Sequence, residues 1–243
     1  MSTKSVNNES AWVKNLYQQL REKEGRVYAD EEVWQLPQID SHHRYYREWQ
    51  LRKRSARRLI QYLQRKKGRL SILEAGCGNG WLSHQLASIP QSRVIGIDIN
   101  TAELQQAIRV FSPVANLEFL YGDMRSEALS DMKADIIIFA ACIQYFPSLP
   151  AIIEHSLKRL NRGGEIHLLD SPLYAPGETE AARIRTLDYY TELGFTGMAD
   201  HYFHHSLADL TSFNYKILYQ PSNFSFQLST FKNPFPWVCI YNK

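Results

Sequence analysis

From residue 70 onward, short apolar runs rich in β-branched residues alternate with stretches of helical periodicity. "LSILEA", "RVIGIDI", "NLEFLYGD", "ADIIIFAAC" and "GGEIHLLD" read as strands, and "NGWLSHQLASI", "TAELQQAIRVF" and "SLPAIIEHSLKRL" as the helices between them. Runs that are apolar at nearly every position belong to strands buried on both faces. Parallel strands need long crossovers, and the helices supply them. The pattern predicts an α/β fold with a doubly wound sheet. Residues 178–195 read as a further helix, then "YKILYQ" and "PWVCIYN" as two closing strands. The loop between those two is too short for a helix, so they are expected to pair antiparallel. The result is a seven-stranded, mostly parallel sheet.

Residues 9–24 read as a short amphipathic helix with Trp12, Leu16 and Leu20 on one stripe, followed by an aromatic-rich loop. From about Arg44 to Lys66 a longer helix places Tyr45, Trp49, Ala56, Leu59 and Leu63 on one face, and Gly68 ends it. The expected organisation is an N-terminal helical lid over residues 1–68 and a main domain over 69–243. An insertion at about 171–213 would lie on the substrate side. Between Arg44 and Arg69 nearly every charge is basic, Glu48 being the lone acid. Such a face suits phosphates, as in a nucleic acid, or simply solvent. Elsewhere composition restrains the reading: no apolar run approaches the roughly 18 residues of a membrane span, and the N-terminus lacks a secretory core. Three scattered cysteines fit neither a disulfide framework nor a zinc site. A soluble cytoplasmic protein with reduced thiols and no metal is expected.

At the end of the first strand, Glu74-Ala75-Gly76-Cys77-Gly78-Asn79-Gly80 reads as a tight turn into a helix. Glycines there let the main chain press against a ligand. The spacing is not the G-x-G-x-x-G of a dinucleotide loop, and Trp81 stands where Gly or Ala would be needed. Asp98 ends the second strand, placed for ribose hydroxyls, and Asp123 the third, placed for an adenine amine. Glu74 would repel a pyrophosphate and attract a cation. Carboxylates at three successive strand ends describe a site for a nucleoside that carries positive charge.

With these residues in place, residues 70–170 resemble the class I S-adenosylmethionine-dependent methyltransferases, of the small-molecule, quinone-methyltransferase-like kind. The match lies in E-x-G-x-G-x-G at Glu74 to Gly80, Asp98, the pair Gly122-Asp123, and "LKRLNRGGEIHLLD". The resemblance implies a Rossmann-like fold and S-adenosylmethionine as cofactor. It implies Glu74, Gly76, Gly78 and Gly80 around the methionine end, Asp98 and Ile99 at the ribose, and Asp123 and Met124 at the adenine. Cys142, at the end of the fourth strand, would border the cofactor as a small residue rather than act as a nucleophile.

The fourth strand ends in "FAACIQYF", without the [ND]-P-P-[YF] turn of enzymes that methylate planar amines. It also lacks the acid a polyamine synthase needs there. A small-molecule acceptor methylated on oxygen or carbon is therefore expected. Its walls are sought in Tyr45, Trp49 and Tyr145, and in the insertion with Asp170, Tyr174, Tyr189, Tyr190 and Tyr202. His201, His204 and His205 in "MADHYFHHSLADL" are candidates for a base. Two other readings stand beside this one: a methyltransferase of RNA or protein using the basic helix, and a non-catalytic binding protein of the same fold.

Overall fold

The computed structural model describes residues 15–126, 129, 131–175, 177–221 and 233–242. Trp12 of the first amphipathic stripe lies outside them. Seven helices are labelled α1 (15–24), α2 (Asp30–Gln35), α3 (Tyr46–Leu63), α4 (Trp81–Ala87), α5 (Thr101–Phe111), α6 (Leu149–Leu157) and α7 (Thr179–Leu193). The strands are β1 (Leu70–Ala75), β2 (Ser92–Asp98), β3 (Leu117–Tyr121), β4 (Ala134–Ala140), β5 (Leu160–Leu169), β6 (Tyr215–Tyr219) and β7 (Trp237–Tyr241). They form one sheet in the order β3-β2-β1-β4-β5-β7-β6. Pairings through β3-β2-β1-β4-β5 are parallel, and β7 runs antiparallel to both β5 and β6.

Double-sided burial follows from the side-chain period of two. In β4, Ile136 and Ile138 enter a core with Leu59, Leu63, Leu86, Phe111 and Trp237. Ile137 and Phe139, on the opposite face, enter a second core with Ile152, Ile153, Ile166 and Val238. α3 belongs to the first of these cores, so it packs as an integral layer beside α4 and α5. Its Trp49 indole stands edge-on to Trp81, 5.2 Å between centroids, and donates to Tyr28 Oη at 2.9 Å. A third, smaller cluster joins Leu20 of α1 to Tyr190 of α7 and Met198 of the following turn.

Two elements differ from the sequence reading. The aromatic-rich loop contains α2, whose six residues bury Val33 alone. It is held by a capping contact from Ala29 N to Glu32 Oε2 at 2.8 Å and by Asp30, which accepts two bonds from Arg109 of α5 at 2.6 and 2.8 Å. β5 also begins at Leu160, three residues before "GGEIHLLD", because a register irregularity against Ala134 and Ile136 absorbs the "NRGG" stretch.

Candidate functional site

The glycine loop leaves β1 at the middle of the sheet, where strand order reverses and ligands bind in open α/β folds. Gly76 N and Cys77 N both donate to Ile97 O, at 2.8 and 3.1 Å, and Gly78 N donates to Asp98 Oδ2 at 2.7 Å. Asn100 N donates to the other Asp98 oxygen at 2.7 Å. Gly76 has φ +67°, and a Cβ there would stand 2.8 Å from Cys142 Cβ. Gly80 begins α4 with φ +77°, and a Cβ there would meet the Phe119 ring at 2.5 Å. Gly80 is thus required by helix–sheet packing, whereas Gly76 and Gly78 open onto a cavity.

Glu74, at the end of β1, is fully buried and accepts a bond from Ser83 Oγ at 2.5 Å. Burial pushes its carboxyl up to about 8, with Asp98 adding to the rise. Burial likewise raises Asp98 to about 6 despite its backbone donors. Neither has a cationic partner among the described residues. Burial also raises the Cys77 and Cys142 thiols, and Cys142 Sγ contacts Ala75 O at 3.1 Å, so both behave as packing residues.

The cavity has a volume of about 520 Å³. The glycine loop forms one side, and Ala140, Ala141 and Asp170, at the ends of β4 and β5, form the next. α1 crosses it with Tyr17, Arg21 and Glu24, α3 contributes Glu48, Trp49 and Arg52, and Tyr190 and Tyr202 complete an aromatic side. Most of its charges are paired. Arg21 reaches Glu103 at 3.3 Å, Arg26 grips Glu48 through two bonds of 2.9 and 2.8 Å, and Arg52 Nε donates to Glu48 at 3.0 Å. These guanidinium groups lower the Glu48 carboxyl to about 2 against the opposing effect of burial.

Of the expected acceptor residues, Trp49, Tyr145, Asp170, Tyr189, Tyr190 and Tyr202 line this cavity. Tyr45 stands behind the wall: its hydroxyl donates to Glu24 O, and the Arg26 guanidinium lies 3.9 Å from its ring centre. Tyr174 is used by its backbone, which bridges to Ser206 and donates from Tyr174 N to His205 O at 2.8 Å. None of the three histidines is on the cavity wall. His205 is buried with Nε2 on Ile143 O at 3.1 Å, His204 Nε2 lies 2.9 Å from Thr186 Oγ1, and His201 ends a 3-10 turn over Thr196–His201. His204 thereby knits the 171–213 segment to itself, and His205 ties it to the turn after β4.

On the cofactor side, Glu74, Gly76 and Gly78 line the cavity, while Asp98 lies immediately behind Gly78. Ile99 is exposed, Met124 is buried, and Asp123 pairs with Arg125 at 2.5 Å. These three follow the ends of β2 and β3, outside the cavity proper. Tyr17, Arg21, Glu24, Glu103 and Asn233 line it without having been singled out in the sequence. Tyr17, Arg21 and Glu24 share one helix face at i, i+4 and i+7, a spacing visible in the sequence but identical to that of an ordinary solvated stripe.

A second cluster, Glu165, His167 and Cys239, brings potential metal donors within 4.8 Å of one another across β5 and β7. Its chemistry is that of an ion-paired core. Trp237 Nε1 donates to His167 Nδ1 at 3.1 Å, which leaves the neutral ring's proton on Nε2, the atom a metal would need. Lys66 and Lys216 already occupy Glu165, at 2.9 and 3.4 Å.

A protein-family model described as a methyltransferase domain matches residues 66–186. Over 104 residues the chain is 31% identical to a malonyl-[acyl-carrier protein] O-methyltransferase of Halalkalibacterium halodurans, covering 39% of this chain and 38% of that protein. Over 143 residues it is 29% identical to the protein of the same name from Acetivibrio thermocellus, covering 56% and 50%. The chain thus spans half or less of the length of these relatives. Its fold is also that of magnesium protoporphyrin IX methyltransferase from Synechocystis, solved with bound S-adenosylhomocysteine, at 16% identity and a TM-score of 0.55 over 87% of this chain and 94% of that one. The donors fit such a cofactor: two buried carboxyls without a cation, beside a bare backbone, are suited to an ammonium and a sulfonium and unsuited to a phosphate. Residues 66–186 therefore belong to the class I S-adenosylmethionine-dependent methyltransferases.

Proposed function

We propose that the chain transfers a methyl group from S-adenosylmethionine to a small-molecule acceptor, on oxygen in preference to carbon. The observation that carries this reading is the pair Glu74 and Asp98, buried without a counter-cation at the edge of a cavity of about 520 Å³. The cofactor supplies an activated methyl carbon on a sulfonium. The chain's task is to align acceptor and methyl and to exclude water. In this reading Glu74, Gly76 and Gly78 hold the methionine end, and Asp98 and Ile99 face the ribose. Asp123 and Met124 border the adenine, and Cys142 backs Gly76. Trp49, Tyr145 and Tyr202 would bound the acceptor, with α1 and the segment before α3 as a lid. The relatives' name, an O-methyltransferase, supports oxygen.

The test is incubation of the full chain with methyl-labelled S-adenosylmethionine and a cellular metabolite extract. Label in a small-molecule product is expected, and its absence despite bound cofactor would refute transfer to a small molecule. A macromolecular acceptor draws support from one observation: α3 gives Trp49, Leu51 and Arg52 to the cavity while exposing Lys53, Arg54 and Arg57 beside them. Reversing the charge of Arg54 and Arg57 would then abolish transfer and spare cofactor binding, whereas for a small-molecule acceptor the rate is expected to hold within about twofold, as for surface changes.

A further inference from the structure

Asp170 follows β5 directly and lines the cavity beside Ala140 and Ala141. Its backbone has φ +53°, and Ala141, at the end of the neighbouring β4, has φ +54°. Left-handed geometry at a non-glycine residue is strained, because Cβ crowds the neighbouring carbonyl. Two such residues side by side on a cavity wall are strain held in place by the fold, of the kind that accumulates at functional sites. The two are linked through the bond from Ala141 N to Leu169 O at 2.9 Å.

The side chain of Asp170 is anchored on one oxygen only. Oδ1 accepts from Ser55 Oγ of α3 at 2.6 Å and from Asn233 Nδ2 at 2.6 Å. Asn233 Nδ2 also reaches Ser55 Oγ at 2.7 Å, which closes a three-membered network. Oδ2 has no hydrogen-bond partner among the described residues, and Asn233 shares the cavity wall. Burial raises the carboxyl above its ordinary range. The charged groups that face it are Arg52, which opposes the rise, and Glu48, which adds to it. Both belong to α3 and are bound to each other, so neither claims Oδ2.

Resting on the methyltransferase reading above, we propose that Asp170 is the acceptor-side base, receiving through Oδ2 the proton of a hydroxyl on a flat unsaturated ring. The acceptor's charge state follows from the cavity. Arg26 and Arg52 are committed to Glu48, and a carboxylate acceptor would meet Asp170 as a like charge. A neutral hydroxyl finds an acceptor in Oδ2. The flat ring is suited to Tyr145, Tyr190 and Tyr202, whose rings already meet one another edge-on at 5.8 and 6.1 Å. As the acceptor's O–CH3 bond forms, the S–CH3 bond breaks and its electron pair returns to sulfur, leaving a neutral thioether. The acceptor's proton passes to Oδ2 and from there to water.

The experiment labels a metabolite extract, supplemented with simple phenols, using methyl-labelled S-adenosylmethionine and the full chain. The expected product is an aryl or enol methyl ether, stable to mild alkali. D170N is expected to lose labelling by about 10²–10⁴-fold, the range of a general base, while its thermal shift with S-adenosylhomocysteine stays as in wild type. The wild-type rate is expected to rise with pH along a limb that D170N lacks. An alkali-labile methyl ester, which releases labelled methanol, would overturn the proposal without any variant, since a carboxylate has no proton to give. So would D170N labelling within fivefold of wild type, or a chain that binds S-adenosylhomocysteine yet labels no hydroxyl compound. A chain that fails to bind S-adenosylhomocysteine would instead defeat the methyltransferase reading itself.

Discussion

Glu74 and Asp98 give the site an electrostatic signature that titration reads directly. An unfolded glutamate has a pKa near 4.3, whereas buried Glu74 stands at about 8. Between those values the folded chain binds a proton that the unfolded chain does not. Stability without cofactor therefore falls as pH rises across that window, by about 1.4 kcal/mol for each unit of difference. Asp98, at about 6, adds a fall of the same sign at lower pH. Urea midpoints measured from pH 5 to 8 are predicted to decline for wild type and to decline less for E74Q. A rising profile would mean that Glu74 has a cationic partner. Gly80 tests the packing account of the loop. G80A would impose left-handed strain of about 1–2 kcal/mol and overpacking of about 1–3 kcal/mol against Phe119, where a Cβ stands 2.5 Å from the ring. G68A, with φ +90° and open space, carries the strain alone. Chemical denaturation of the two variants should separate them, and equal losses would contradict the packing role.

At the scale of elements, α1 is attached in good part by polar contacts. Leu20 alone of its described residues is buried, against Tyr190 and Met198. Leu16 and Tyr17 pack beside it partly buried, and the helix is further clasped by Arg21 on Glu103 and by Tyr189, which donates to Glu24. Segments tied by few apolar contacts open at low free energy. Hydrogen exchange over residues 15–24 is predicted to slow when S-adenosylhomocysteine binds, and to quicken in R21A. Unchanged exchange on binding would contradict the lid. Legibility in the sequence followed the same division. β1, β2, β4 and α5 announce themselves through unbroken apolar runs or a 3.6-residue period, because burial on both faces or on one stripe leaves a one-dimensional trace. α2 left none, since six residues with one buried valine resemble any polar loop, and its anchor Arg109 lies 79 positions from Asp30. The glycine loop and strand-end acids were legible by spacing. The α1 wall and the Asn233–Ser55–Asp170 network were not, because they join residues 178 and 115 positions apart that carry no local pattern.

Across the whole molecule, a sheet with both faces covered brings the ends of β1, β4 and β5 to one cavity and spreads those of β2 and β3 beside it. Helices α1 and α3, Tyr189 and Tyr190 of α7, and Tyr202 after it close that cavity from the N- and C-terminal sides of the sequence. Among the described residues no helix is long and apolar enough to cross a membrane. A ligand that binds only the folded chain at 100 times its Kd adds about 2.7 kcal/mol, or about 5–10 °C in Tm for a chain of this size. A shift of that order is predicted for S-adenosylhomocysteine, and none for NAD, whose pyrophosphate would face Glu74. Isothermal titration calorimetry at pH 7 tests the central claim most directly. It is run with S-adenosylhomocysteine and with NAD, each in two buffers of different ionisation enthalpy. The account predicts one site for S-adenosylhomocysteine, proton release on binding as Glu74 ionises against the ligand's ammonium, and no heat with NAD. Binding of NAD, or a site for S-adenosylhomocysteine that releases no proton, would contradict it.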